Sequence, residues 1–75
     1  MRAVIIQQSP QFVLTSYGNG TAYKLENTGE ALSVFVQGDD AATFRDELDK
    51  FESCNPEGDA LAYLWDCYSL AAQPE

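Results

Sequence analysis

The chain of 75 residues carries four Lys and Arg against twelve Asp and Glu, with no His, so its net charge is −8. That balance excludes a nucleic-acid binder of the usual electrostatic kind, which needs clustered Lys and Arg; the missing His excludes His-based acid–base catalysis and His metal ligation. A hydrophobic fraction of 45% is too high for a disordered acidic tail, so the sequence predicts one small acidic α+β domain over 1–75.

The first half, 1–38, has the pattern of a sheet. Ala3–Gln8 is a β-branched run ended by Ser9-Pro10. Its apolar stretch is too short for a signal-peptide core, and no span approaches the ~20 residues of a membrane helix, which predicts a cytoplasmic protein without membrane contact. Phe12–Tyr17 follows, with Phe12 and Leu14 on one face and Val13 and Thr15 on the other. Gly18-Asn19-Gly20 is a hairpin signal, because Gly and Asn tolerate positive φ. Thr21–Glu26 resumes the strand pattern, Asn27-Thr28-Gly29-Glu30 is the next turn, and Ala31–Gln37 alternates most clearly. Tight connections in succession predict a four-stranded antiparallel meander, with two C-terminal helices packed on one face.

The second half, 39–75, has the pattern of those helices. Gly38 ends the last strand, and Asp39 or Asp40 is the expected N-cap. Ala41, Phe44, Leu48 and Phe51 form one apolar stripe, opposite Arg45, Asp46, Glu47, Asp49, Lys50 and Glu52. Asn55-Pro56-Glu57 is a good start for the second helix, with Asp59 as the competing cap. That helix is expected to run to about Ala72, with Leu61, Leu64, Tyr68 and Ala71 facing one way. Tyr63 and Leu70 stand beside Asp66 on the other side. They are either part of a deeply buried helix or part of a contact patch or homodimer seam.

Little of the usual chemistry of sites is present. Cys54 and Cys67 are expected to be buried, reduced thiols: two Cys do not make a disulfide framework, and without His or further Cys they complete no zinc set. Neither Asp39-Asp40 nor the group Asn55, Glu57 and Asp59 matches the EF-hand spacing. Gly18-Asn19-Gly20 lacks the later Gly, Lys and Ser/Thr of a phosphate loop. No enzyme activity, metal or cofactor is expected.

The charge itself is unevenly placed. Residues 1–38 sum to zero, through Arg2, Lys24, Glu26 and Glu30, while residues 39–75 hold ten acids against Arg45 and Lys50. Carboxylates one helical turn apart lie about 5–6 Å from each other, a spacing comparable to that of successive phosphates on a nucleic-acid strand. The simplest use of such a face is solubility. A second use is to occupy a groove built for a nucleic-acid backbone.

Val36-Gln37-Gly38-Asp39-Asp40-Ala41, then Phe44, Glu47-Leu48, and finally Leu64-Trp65-Asp66 with Tyr68, behind a strand-rich start, resemble the short acidic proteins of phages and mobile elements. In size, charge and layout the chain is similar to anti-CRISPR proteins. That resemblance covers 36–68 and brings no shared fold or catalytic signature with it. It implies a non-enzymatic inhibitor acting in the bacterial host cytoplasm. The implied partner is a host protein or multi-subunit nucleoprotein complex whose Lys- and Arg-lined channel holds guide and target strands. The candidate partner-binding residues are Asp39, Asp40, Asp46, Glu47, Asp49, Glu52 and Asp66, with Tyr63, Leu70 and Phe35 as apolar anchors. The alternative is a small homodimeric structural or regulatory module, joined through the last helix or a sheet edge, with no nucleic-acid mimicry.

Overall fold

Alternation of apolar and polar residues in the first half produces four strands: β1 (Ala3–Gln8), β2 (Phe12–Tyr17), β3 (Ala22–Asn27) and β4 (Leu32–Gln37). The computed structural model describes residues 3–18 and 20–74. Each strand pairs antiparallel with the next. Asn19, at the centre of the expected hairpin turn, lies outside the described residues. The flanking Gly18 and Gly20 adopt φ of 57° and 95°, the left-handed region expected of such a turn. The β3–β4 turn is pinned from within. Asn27, only 1% exposed, accepts through Oδ1 from the backbone N–H of Gly29 at 3.1 Å and of Glu30 at 3.2 Å.

The sheet has five strands rather than four. After the second helix a 3-10 turn, Ser69–Ala71, redirects the chain. Ala72 is then extended, and β5 (Gln73–Pro74) lies antiparallel to β4, with Ser33 opposite Gln73 and Leu32 opposite Pro74. Pro is tolerated there because the strand is at an edge and its missing N–H costs no ladder bond. Strand order follows the sequence, β1-β2-β3-β4-β5.

Helices α1 (Asp39–Cys54) and α2 (Ala60–Tyr68) cover one face of the sheet. Their starts differ from expectation. Neither Asp39 nor Asp40 caps α1; Gly38 does, at φ 63°, with its carbonyl accepting from Ala42 N–H at 3.2 Å. The two acids fall instead in the first turn, where the positive end of the helix dipole favours them. Asn55 does not start α2, because it terminates α1 by donating its N–H to the Phe51 carbonyl at 2.7 Å. Asp59 is the N-cap of α2, its Oδ1 accepting from Ala62 N–H at 3.1 Å. In the loop between them, a Cβ at Gly58 would meet the Phe51 ring at 2.9 Å, so a larger residue there would displace that ring. The α-helix also stops at Tyr68 rather than Ala72, which leaves Ala71 exposed.

The core is the layer between sheet and helices. Phe12, Leu14, Tyr23, Leu25, Val34 and Val36 meet Ala41, Phe44 and Leu48 of α1 and Leu61, Leu64 and Trp65 of α2, all buried. Phe44 stacks on Tyr23 at 5.6 Å between ring centres, and Trp65 meets Phe12 at 6.0 Å. Phe51, the last member of the stripe, is only half-buried. The opposite face of the sheet carries Thr15, Tyr17, Lys24 and Phe35, with the Tyr17 and Phe35 rings 5.9 Å apart.

Candidate acidic surface

At roughly 100° per residue, the buried stripe of α1 fixes where each acid points. Asp39, Asp46 and Asp49 share the crest farthest from the core, and all three are exposed. The helix supplies its own cations to two of them. Arg45 Nε lies 3.3 Å from Asp49 Oδ1, and Lys50 Nζ lies 3.0 Å from Asp46 Oδ2. The Asp46 hydrogen bond, followed by its charge, raises the Lys50 pKa above its ordinary 10.5. Both pairs are exposed, so solvent screening leaves each with little effect on stability.

The remaining α1 acids leave the crest in two directions. Glu52 turns toward the sheet edge, where it accepts from Gln7 Nε2 at 2.9 Å. Asp40 and Glu47 turn toward α2. Asp40 stays exposed, but Glu47 is half-buried, and its Oε2 is enclosed with no hydrogen-bond partner among the described residues. The Tyr68 phenol beside it is pushed up to about 12, by burial first and by Glu47 second. Glu47 therefore packs between the helices, off the exposed crest of α1.

On α2 and beyond, Tyr63, Asp66 and Leu70 are exposed, Leu70 completely so. Tyr63 is no isolated anchor, since its ring stacks on Phe51 at 4.7 Å and 20°. A hydrogen bond with the Cys67 thiol is the main cause that raises its pKa above 10.0. Phe35 is 54% exposed but lies on the open face of the sheet, away from the acids. Cys54 and Cys67 are both free; contrary to expectation both are exposed, because they fall outside the apolar stripes of their helices.

One feature escaped the sequence reading. An open cleft of about 440 Å³ separates the end of α1 from α2, lined by Glu47, Lys50, Phe51, Cys54, Asn55 and Tyr63. Its signal was present: two antiparallel helices joined by a short loop bring the last apolar residue of one against the first turn of the other. The Asp59 carboxylate is occupied as the N-cap of α2. Among the described residues no group of three or more His, Cys, Asp or Glu is placed to hold a metal, and no helix is long and apolar enough to cross a membrane.

What this surface offers chemically is a rigid crest of carboxylates on a helix whose far side is locked in the core. No protein-family model, curated protein or solved structure matches the chain.

Proposed function

We propose that the chain is a non-enzymatic inhibitor of a bacterial defence complex, a CRISPR effector, and that it acts in the host cytoplasm. Its acidic helical half occupies the basic channel that holds guide or target strand. The observation that carries this reading is the crest of Asp39, Asp46 and Asp49, exposed on a helix that Phe44 and Leu48 hold rigidly against the sheet. Asp40 and Asp66 extend the same acidic half. Such a surface is complementary to a Lys- and Arg-lined channel. It speeds encounter and selects the partner, while an apolar contact supplies residence. Leu70, wholly exposed, is the side chain available for that contact.

The test is the triple reversal Asp39→Lys, Asp46→Lys and Asp49→Lys, in a DNA-cleavage assay with a guide-loaded CRISPR effector. Each position is exposed, so circular dichroism should be unchanged. Inhibition should require at least about tenfold more protein, equivalent to 1.4 kcal/mol, and parental inhibition should weaken as salt rises. A folded triple variant that inhibits at the parental concentration sinks the proposal.

A further inference from the structure

The two edges of the sheet are unlike each other. β4 is joined by β5 over Leu32 and Ser33, and Pro74 there has no N–H to offer a further strand. Among the described residues β1 has a neighbour on one side only, so alternate N–H and C=O groups along Ala3–Gln8 point outward without a ladder partner there. Natural edges of this kind are protected by Lys, Pro or inward-pointing charge. The β1 sequence, AVIIQQ, contains none of these. Val4, Ile5 and Ile6 are 46%, 57% and 37% exposed. Val4 lies opposite Ser16 on the helix side of the sheet, and Ile5 opposite Thr15 on the open side, so the edge is apolar on both faces. One irregularity interrupts it, a register shift between Ile5 and Gln7 that takes Ile6 out of the ladder with β2.

We propose that Ala3–Gln8 is the docking strand for a second copy of this chain, the two β1 strands pairing antiparallel about a two-fold axis. Strand addition takes its affinity from the main chain and its selectivity from side chains and nearby charge. Both selectors favour an identical strand. The β1 side chains are uncharged, with Val4, Ile5 and Ile6 apolar ahead of the polar Gln7 and Gln8, which suits a copy of themselves; the Glu52 carboxylate held by Gln7 places a negative charge beside the end of the strand. Residues 1–38 sum to zero charge while residues 39–75 carry −8. Two copies meeting through β1 therefore join their least charged regions; two copies meeting through the helices would join their most charged ones. The contact is isologous and closes at two copies. A two-fold axis normal to the sheet makes one continuous ten-stranded sheet, with both helix layers on the same side.

The size of the contact sets its strength. A six-residue strand is about 20 Å long, which puts the interface below about 1,200 Å² in total and in the class of reversible contacts. Like charge on the two helical halves opposes the association, so added salt should tighten it. That sign is opposite to the one expected for binding to a basic channel, and it makes the dimer separable from the inhibitor reading, on which it does not depend.

Sedimentation velocity on the parent chain, over a concentration series up to about 1 mM and at low and high salt, should show a monomer–dimer equilibrium that shifts toward dimer with salt. Ile5→Lys should raise the dissociation constant at least about tenfold without changing the circular dichroism. Phe35→Lys, equally exposed and on the same open face but on β4, with β2 and β3 between it and β1, should leave it unchanged. If Ile5→Lys loses its folded signal, Val4→Lys on the other face of the same strand replaces it. A parent that stays monomeric throughout, a dimer indifferent to the β1 lysine, or a dimer broken by Phe35→Lys instead would each overturn the proposal.

Discussion

Tyr68 lies half-buried with its ring 5.3 Å from Phe44, and burial together with Glu47 raises its phenol from 10.0 to about 12. An unfolded chain releases this proton near pH 10, while the folded chain holds it to about pH 12. Between those values the folded state binds more protons, so stability falls as pH rises; below pH 10 the contribution is present in full. Urea titrations should show the midpoint dropping from pH 10 to 12, and dropping less in Tyr68→Phe. An equal drop in that variant would assign the effect to other groups. At this scale the sequence was informative about residue type and less so about direction. Asp46 and Glu47 are neighbours that look alike in an acidic run, yet one is paired with Lys50 in solvent and the other has an enclosed oxygen near α2. The phase of α1 alone places Glu47 on a flank. Only the packing of α2 against that flank makes it interior.

The elements divide at Gly38, where the strand period gives way to the helix period. Gly38 adopts φ 63° and ψ −131°, a conformation open to Gly and strained for any L side chain, and the space around its Cβ position is empty. Gly38→Ala should therefore cost about 1–3 kcal/mol through backbone strain alone, read as a lower urea midpoint with an unchanged slope. A variant as stable as the parent would mean that the β4–α1 junction relaxes to another path. Strands β2 to β4 were legible because alternation, paired turns and glycines all agree there, and α1 because its stripe spans Ala41 to Phe51. β5 was not legible, since two residues ending in Pro carry no alternation. Its pairing exists only because the 3-10 turn delivers Gln73 to Ser33. The start of α2 turned on a similar point: Asn55 looks like a cap, but the end of α1 reaches it first.

As a whole the molecule divides into residues 1–38, which are neutral, and residues 39–75, which carry −8 and include both helices. Two exposed ion pairs, Arg45–Asp49 and Lys50–Asp46, offset only a part of the repulsion among ten acids. The screening length falls from about 10 Å at 0.1 M salt to about 3 Å at 1 M, so it is high salt that weakens repulsion between carboxylates about 5–6 Å apart on neighbouring turns of α1. The melting temperature should rise by several degrees from low salt to 0.5 M, since about 1 kcal/mol corresponds to 4–8 °C for a domain of this size. A fall would mean that the two ion pairs outweigh the repulsion. The charge division was visible in the sequence, because it follows the same boundary at Gly38; the unequal edges of the sheet were not, because they depend on where β5 lands. Trp65 adds a practical consequence. It is the single tryptophan of the chain, 8% exposed and seated on Phe12. Its emission reports whether α2 is docked on the sheet, and it belongs to neither the carboxylate crest of α1 nor β1. One intrinsic fluorophore thus gives an optical check that a lysine variant on either surface has kept its core, in the same cuvette in which its association is measured.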